Sequence, residues 1–153
     1  ATQFLLEHFS LKKEENKILD LASGNGVIAH HINHLKDNLE IHLMDDSYLA
    51  VESSKLNLKG ENIHFHYNHS LEEFEDNYFD LIISNPPFHF EHEIDINIPL
   101  QLFKEAYQKL KSNGRLVIVA NSHLNYGTHL IKIFGKFEVL AKNDKFEVLE
   151  AKT

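Results

Sequence analysis

Short apolar runs alternate with stretches of helical periodicity along this chain, and that alternation constrains its fold more than any other feature. "KILDLAS" (17–23), "LEIHLMDD" (39–46), "NIHFHY" (62–67), "YFDLIIS" (78–84) and "RLVIVAN" (115–121) are too short for helices and read as strands. Between them, "GVIAHHINHL" repeats Val27, Ile28, Ile32 and Leu35 at helical spacing, and "SYLAVESSKLNL" offers Ser47 as an N-cap. In "PLQLFKEAYQKLKSNG", Pro99 suits a first turn and Asn113-Gly114 an end. Leu100, Phe103, Tyr107 and Leu110 form its apolar stripe. Strands joined through helices pair in parallel with right-handed crossovers, so the pattern predicts an α/β, Rossmann-like, doubly wound sheet with "YFDLIIS" central. A helix with Phe4, Leu5 and Phe9 inward precedes the sheet, and "SHLNYGTHLIKIFG" supplies a late helix. The closing "KFEVLAKNDKFEVLEA" reads as an antiparallel hairpin around Lys142-Asn143-Asp144 at or near one sheet edge.

The 153 residues suit one domain with one core. No cysteine is present, which favours a reducing, cytoplasmic location. No run approaches the length of a membrane span, and the opening residues lack the order of a secretory signal. The first residue is alanine, which suggests a domain excised from a longer chain. A formal net charge of -8, with Arg115 the single arginine, argues against a large basic surface for nucleic acid. Lys12, Lys13, Lys55 and Lys59 read most simply as solvated surface, with phosphate contact as the alternative.

The turn "DLASGNGVIA" places Gly24 and Gly26 between a strand and a helix. Missing side chains there let a ligand approach the backbone at a helix N-terminus. Asp45 ends the next strand, where a carboxylate accepts from ribose hydroxyls, so the pair predicts a nucleoside-containing cofactor. A plain tight turn, with Asp45 capping the following helix, is the bland alternative. Gly24, Gly26 and Ala29 also fit the G-x-G-x-x-A form of the dinucleotide fingerprint, which leaves an NAD-dependent oxidoreductase open. Asp20 just ahead of the turn and the terminal hairpin resemble the methyltransferases that use S-adenosylmethionine. There, Asp20, Gly24 and Gly26 match an acidic-x-Gly-x-Gly-x-Gly pattern, with Ala22 in place of its first glycine.

"SNPPFHF" (84–90) stops the central strand with two prolines. Proline fixes its own φ and holds the preceding residue extended, so Asn85 and Pro86 are stiffly directed at the carboxyl edge of the sheet. The Asn85 amide oxygen and the Pro86 carbonyl can then act as paired acceptors for an NH2 group, favouring pyramidal nitrogen and supporting developing positive charge, while Phe88 stacks on a base.

"NPPF" resembles the Asn-Pro-Pro-aromatic motif of amino-methyltransferases acting on adenine N6, guanine N2 or glutamine amides. The wider string "NPPFH…VANSHLNY…IFG…NDKFEVLEA" is similar to the C-terminal catalytic domain of ribosomal RNA guanine-N2 methyltransferases of the RsmC/RlmG type, over nearly the whole chain. That resemblance implies a single methyltransferase domain over 1–153, an N-terminal domain missing from this chain, S-adenosylmethionine as cofactor and ribosomal RNA or a ribosomal subunit as substrate. By position it assigns Asp20, Gly24 and Gly26 to the methionine end of the cofactor, Asp45 to its ribose and Asn68 to its adenine, with His69 the alternative. Asn85, Pro86 and Phe88 fall to the target base, and Ser122 departs from the arginine the resemblance leads one to expect beside Asn121.

His89 is a candidate proton acceptor, with water as the rival. His64 and His66 share a strand face, and His89 with His92 have ligating atoms, but no carboxylate or cysteine pattern completes either set, so no metal is expected. His123 and Tyr126 either shape an RNA pocket or pack the late helix.

Overall fold

The computed structural model describes residues 1–86, 89–90, 93–94 and 97–153, and the side chains at 89, 90, 93, 94 and 98 lie outside that description. A seven-stranded sheet runs in the order β3-β2-β1-β4-β7-β9-β8. Its strands are β1 (Lys17–Leu21), β2 (Glu40–Asp45), β3 (Ile63–Tyr67), β4 (Phe79–Ser84), β7 (Leu110–Asn121), β8 (Glu138–Lys142) and β9 (Phe146–Lys152). A two-stranded ribbon, β5 (His89–Phe90) with β6 (Glu93–Ile94), stands apart. β1, β2, β3, β4 and β7 pair in parallel, and β9 lies antiparallel between β7 and β8. The doubly wound sheet and its terminal hairpin are therefore as the alternation predicts.

Strand alternation divides the core into two layers, because neighbouring residues face opposite sides of a sheet. Ile18, Ile41, Leu43, Leu81, Ile83, Val117, Val119 and Val148 pack with Leu5 of α1 (Thr2–Glu7), Ile28 and Ile32 of α2 (Val27–Asn33), and Leu58 after α3 (Tyr48–Asn57). Leu19, Leu21, Ile82, Leu116, Ile118 and Leu149 face the other way, onto Phe103 of α4 (Asn97–Lys109) and Tyr126 and Leu130 of α5 (Tyr126–Phe134). Burying each large side chain of this kind stabilises the fold by about 1.5–3 kcal/mol before entropy is counted.

Several local expectations change. Val27 and Leu35 are largely exposed, since Ile28, Ala29 and Ile32 suffice for the buried face of α2. α4 ends at Lys109, before Asn113-Gly114, because the Gln108 and Lys109 carbonyls accept from the Asn77 and Tyr78 N–H groups. Tyr126 is fully buried, edge-on to Phe103 with centroids 5.6 Å apart, so it packs the helix rather than shaping an RNA pocket, while His123 is exposed on a 3-10 turn (Ser122–Leu124). Ser47 caps α3 as expected, accepting from the Ala50 N–H at 3.2 Å.

The single arginine is buried. Arg115 donates to both carboxylate oxygens of Glu15 (each 2.7 Å), to Glu150 (2.9 Å) and to the Ser10 carbonyl (2.7 Å), pinning the segment after α1 to β7 and β9. Between β3 and β4 no helix forms, and Phe74 of the acidic connector covers His66 and His42 edge-on. His42 Nε2 donates to Glu40 (2.8 Å), which makes its Nδ1 the acceptor for His66 Nε2–H (2.9 Å), and the Tyr78 hydroxyl also donates to Glu40. Burial, with His42 close by, pushes the His66 pKa down to about 4. Among the described residues no group of histidines and carboxylates is arranged to hold a metal, and no helix is long and apolar enough to cross a membrane.

Candidate active site

β2 and β3 lie on one side of β1 and β4 on the other, so the loops leaving β1 and β4 diverge at the carboxyl edge and open a crevice there. The Ser84 hydroxyl donates to the Leu21 carbonyl (2.6 Å), tying the two strand ends together where those loops part. A cleft of about 530 Å³ opens above them, lined by Ala22 of the glycine turn, Asp45 at the end of β2 and Asp46 after it, Asn68 and His69 after β3, Asn85 after β4, and Gln101 of α4.

The glycine turn is built from unusual backbone angles. Ala22 has φ 59°, Gly24 φ 56° and Gly26 φ 87°. A Cβ on Gly24 would meet nothing within 4 Å, so this edge of the turn is open to a ligand. Gly26 has a different task. A Cβ there would come 2.8 Å from Leu58 and 3.2 Å from Leu43, so its bareness lets α2 seat closely against β2 and α3.

Asp45 links the turn to the next strand. One of its carboxylate oxygens accepts from the Gly24 N–H (2.8 Å) and the other from the Ser47 N–H (2.9 Å). Each oxygen keeps a second lone pair, so the carboxylate is fixed in place and can still accept from hydroxyls. Asn68 is held by its own turn, its Oδ1 accepting from the His69 N–H (2.8 Å), which leaves its NH2 without a partner among the described residues. Glu105 of α4 braces the same loop, accepting from the Leu71 N–H (3.0 Å) and the Ser70 hydroxyl (3.3 Å).

Asp20 sits beneath the turn rather than in the cleft lining. It is fully buried, its Oδ2 accepts from the Ala29 N–H (3.0 Å), and its Oδ1 has no partner among the described residues. Desolvation, with Asp45 nearby, raises its pKa to about 8, although the Ala29 N–H opposes the shift. The orphaned Oδ1 is a buried polar atom with hydrogen-bonding capacity that no described residue uses.

Asn85 borders the cleft half-buried, and Pro86 behind it is buried. The Asn85 NH2 donates to the Thr2 hydroxyl of α1 (3.1 Å), and its Oδ1 accepts no hydrogen bond from the described residues. Phe88 and His92, and the side chain of His89, lie outside the described residues. The fold thus brings Gly24, Asp45, Asn68 and Asn85 to one edge, with Asp20 and Gly26 underneath. Thr2, Asp46 and Gln101 were not singled out from the sequence. Asp46 carried a signal as the second member of an acidic pair, whereas Thr2 meets Asn85 only through a contact 83 residues apart in the chain.

These residues suit a nucleoside-bearing cofactor: an open glycine edge, a fixed carboxylate at the end of β2, an amide after β3 and an unpartnered buried carboxyl oxygen under the turn. Comparisons with known proteins agree with that architecture. The ribosomal RNA large subunit methyltransferase G of Vibrio parahaemolyticus is 37% identical over 158 residues, covering 99% of this chain and 41% of its own length. That of Pseudoalteromonas translucida is 40% identical over 157 residues, with 99% and 41% covered. The chain therefore spans about two-fifths of the length of these relatives. Among solved structures, the T. thermophilus 16S rRNA N2 methyltransferase RsmC, in complex with AdoMet and guanosine, superposes with a TM-score of 0.77 at 24% identity, covering 99% of this chain and 40% of that one. The family model for the methyltransferase small domain matches residues 1–150, from the helix before the sheet into the final strand, and the chain belongs to that family.

Proposed function

We propose that this chain is the catalytic domain of a longer enzyme that transfers a methyl group from S-adenosylmethionine to the exocyclic N2 amine of a guanine in ribosomal RNA. Asn85 carries the reading: an amide on the cleft whose nitrogen is engaged by Thr2 and whose oxygen accepts from no described residue. Names of the relatives and the identity of the superposed enzyme support the same substrate class.

When bound, S-adenosylmethionine supplies a methyl group made electrophilic by its attachment to positively charged sulfur. The open edge at Gly24 would give its methionine end room, with the unpartnered Asp20 oxygen below; Asp45 would receive the ribose hydroxyls and Asn68 the adenine edge. Asn85 Oδ1 and the Pro86 carbonyl accept the two N–H groups of the guanine amine, whose lone pair is otherwise delocalised into the ring. Two fixed acceptors favour the nucleophilic geometry and support the charge that grows on nitrogen. Phe88, outside the described residues, keeps the base-stacking role that the resemblance assigns to it. With Arg115 consumed inside the fold and a formal net charge of -8, affinity for RNA falls to the length present in the relatives beyond this chain.

The test is transfer of tritiated methyl by the full-length protein to ribosomal RNA from cells lacking it, followed by nucleoside analysis. N2-methylguanosine is the expected product; N6-methyladenosine, or label on protein glutamine, would select the other amine substrates of this motif. Asn85→Ala should lower turnover by at least a hundredfold, with the affinity for S-adenosylhomocysteine unchanged by calorimetry. Near-normal turnover would remove the acceptor role.

A further inference from the structure

We propose that Thr2 is a positioning residue for methyl transfer, its hydroxyl accepting from the Asn85 NH2 group in the orientation that presents the carbonyl oxygen to the cleft. This rests on Asn85 being the acceptor for the substrate amine.

An asparagine amide has nearly the same shape in its two flipped orientations, and only hydrogen-bond partners choose between them. The choice matters here more than at an ordinary surface. With Oδ1 toward the cleft the side chain accepts from an amine; with NH2 there, donor faces donor and the pair repels. Thr2 Oγ1, 3.1 Å from Asn85 Nδ2, makes the first orientation complete, because the hydroxyl accepts from NH2 while Oδ1 stays open for substrate. In the flipped state the hydroxyl can donate to Oδ1, but the amide nitrogen then meets the incoming amine with no acceptor.

Thr2 is carried on α1, which is anchored within the helix and again beyond its C-terminal end. Leu5 is fully buried between the sheet and α2, and the chain just beyond the helix is locked through the Ser10 carbonyl and Glu15 to Arg115. The helix outside the sheet thereby reaches the end of the central strand, which explains why a segment preceding the first strand belongs to the site.

The experiment compares Thr2→Val, Thr2→Ser and Asn85→Ala in the full-length protein. Valine keeps the shape and removes the hydroxyl, leaving NH2 facing a methyl in the productive orientation. We expect kcat to fall about three- to tenfold, with the dissociation constant for S-adenosylhomocysteine and the thermal midpoint as in the unaltered protein. Serine should restore kcat to within about twofold. Unaltered kcat in Thr2→Val alongside an inactive Asn85→Ala overturns the role of Thr2 and leaves Asn85 standing, whereas an active Asn85→Ala overturns the acceptor reading itself. A Thr2→Val protein that melts earlier, binds S-adenosylhomocysteine more weakly and is not rescued by serine assigns Thr2 to structure alone, against the proposal.

Discussion

Ala22 occupies the left-handed region at φ 59°, where a Cβ clashes with the following carbonyl and costs about 1–2 kcal/mol. Glycine would relieve that clash but give the unfolded chain more freedom, worth about 0.4–1 kcal/mol in the opposite sense. Ala22→Gly should therefore stabilise the protein by about 0.5–1 kcal/mol, seen as a higher urea midpoint at unchanged slope; a lower midpoint would show that the turn has already absorbed the strain. In the sequence this position shows only as an alanine in place of a glycine of the pattern, and the backbone angle is not visible there. Gly24, Asp45 and Asn68 were legible because each follows a strand, and strand ends at the carboxyl edge face the crevice whatever the distant packing. Asp20 was legible as part of a pattern, but its burial under Ala29 and its unfilled oxygen come from the tertiary fold.

α1 is joined to the sheet mainly by apolar contact and by the Glu15–Arg115–Glu150 cluster, in which all three side chains are at most 6% exposed. Removing the guanidinium leaves Glu15 and Glu150 buried together, with Lys152, 3.5 Å from Glu150, the remaining cation paired with either among the described residues. Arg115→Met should cost about 3–5 kcal/mol in chemical denaturation and open the segment around Ser10 to protease; a loss under about 1 kcal/mol would mean the carboxylates find water easily. Helices and strands were readable where local signals suffice, as with the Ser47 cap or the alternation along β9. They were not readable where distant chain decides: α4 stops at Lys109 because the residues before β4 take its last carbonyls, a pairing to which Asn113-Gly114 gives no clue. The role of α1 in the site was equally hidden, since nothing in "ATQFLLEHF" announces a partner after the fourth strand.

Across the molecule, two groups set opposing responses to pH. His66 stays neutral in the fold down to about pH 4, so the unfolded chain takes up protons first and stability falls as pH drops below about 6.5. Asp20, with its folded pKa near 8, keeps a proton that the unfolded chain releases near 4. Its contribution is full below about pH 4 and is lost as pH rises toward 8. From about pH 6.5 to 8 the histidine no longer titrates, and stability should decline by up to about 1.4 kcal/mol per pH unit. Asp20→Asn keeps the acceptor for Ala29 and should flatten that decline in urea titrations; an unchanged slope would assign it to another group.

β9 follows β8 in the chain yet lies inside it in the sheet, between β8 and β7. β8 therefore has no place in the sheet until the strand that follows it has docked against β7. Until β9 has docked, Val139 and Leu140, which stay partly open to water even in the finished fold, sit on a strand with no neighbour. An incompletely folded chain thus offers this edge for pairing with other chains until the hairpin closes.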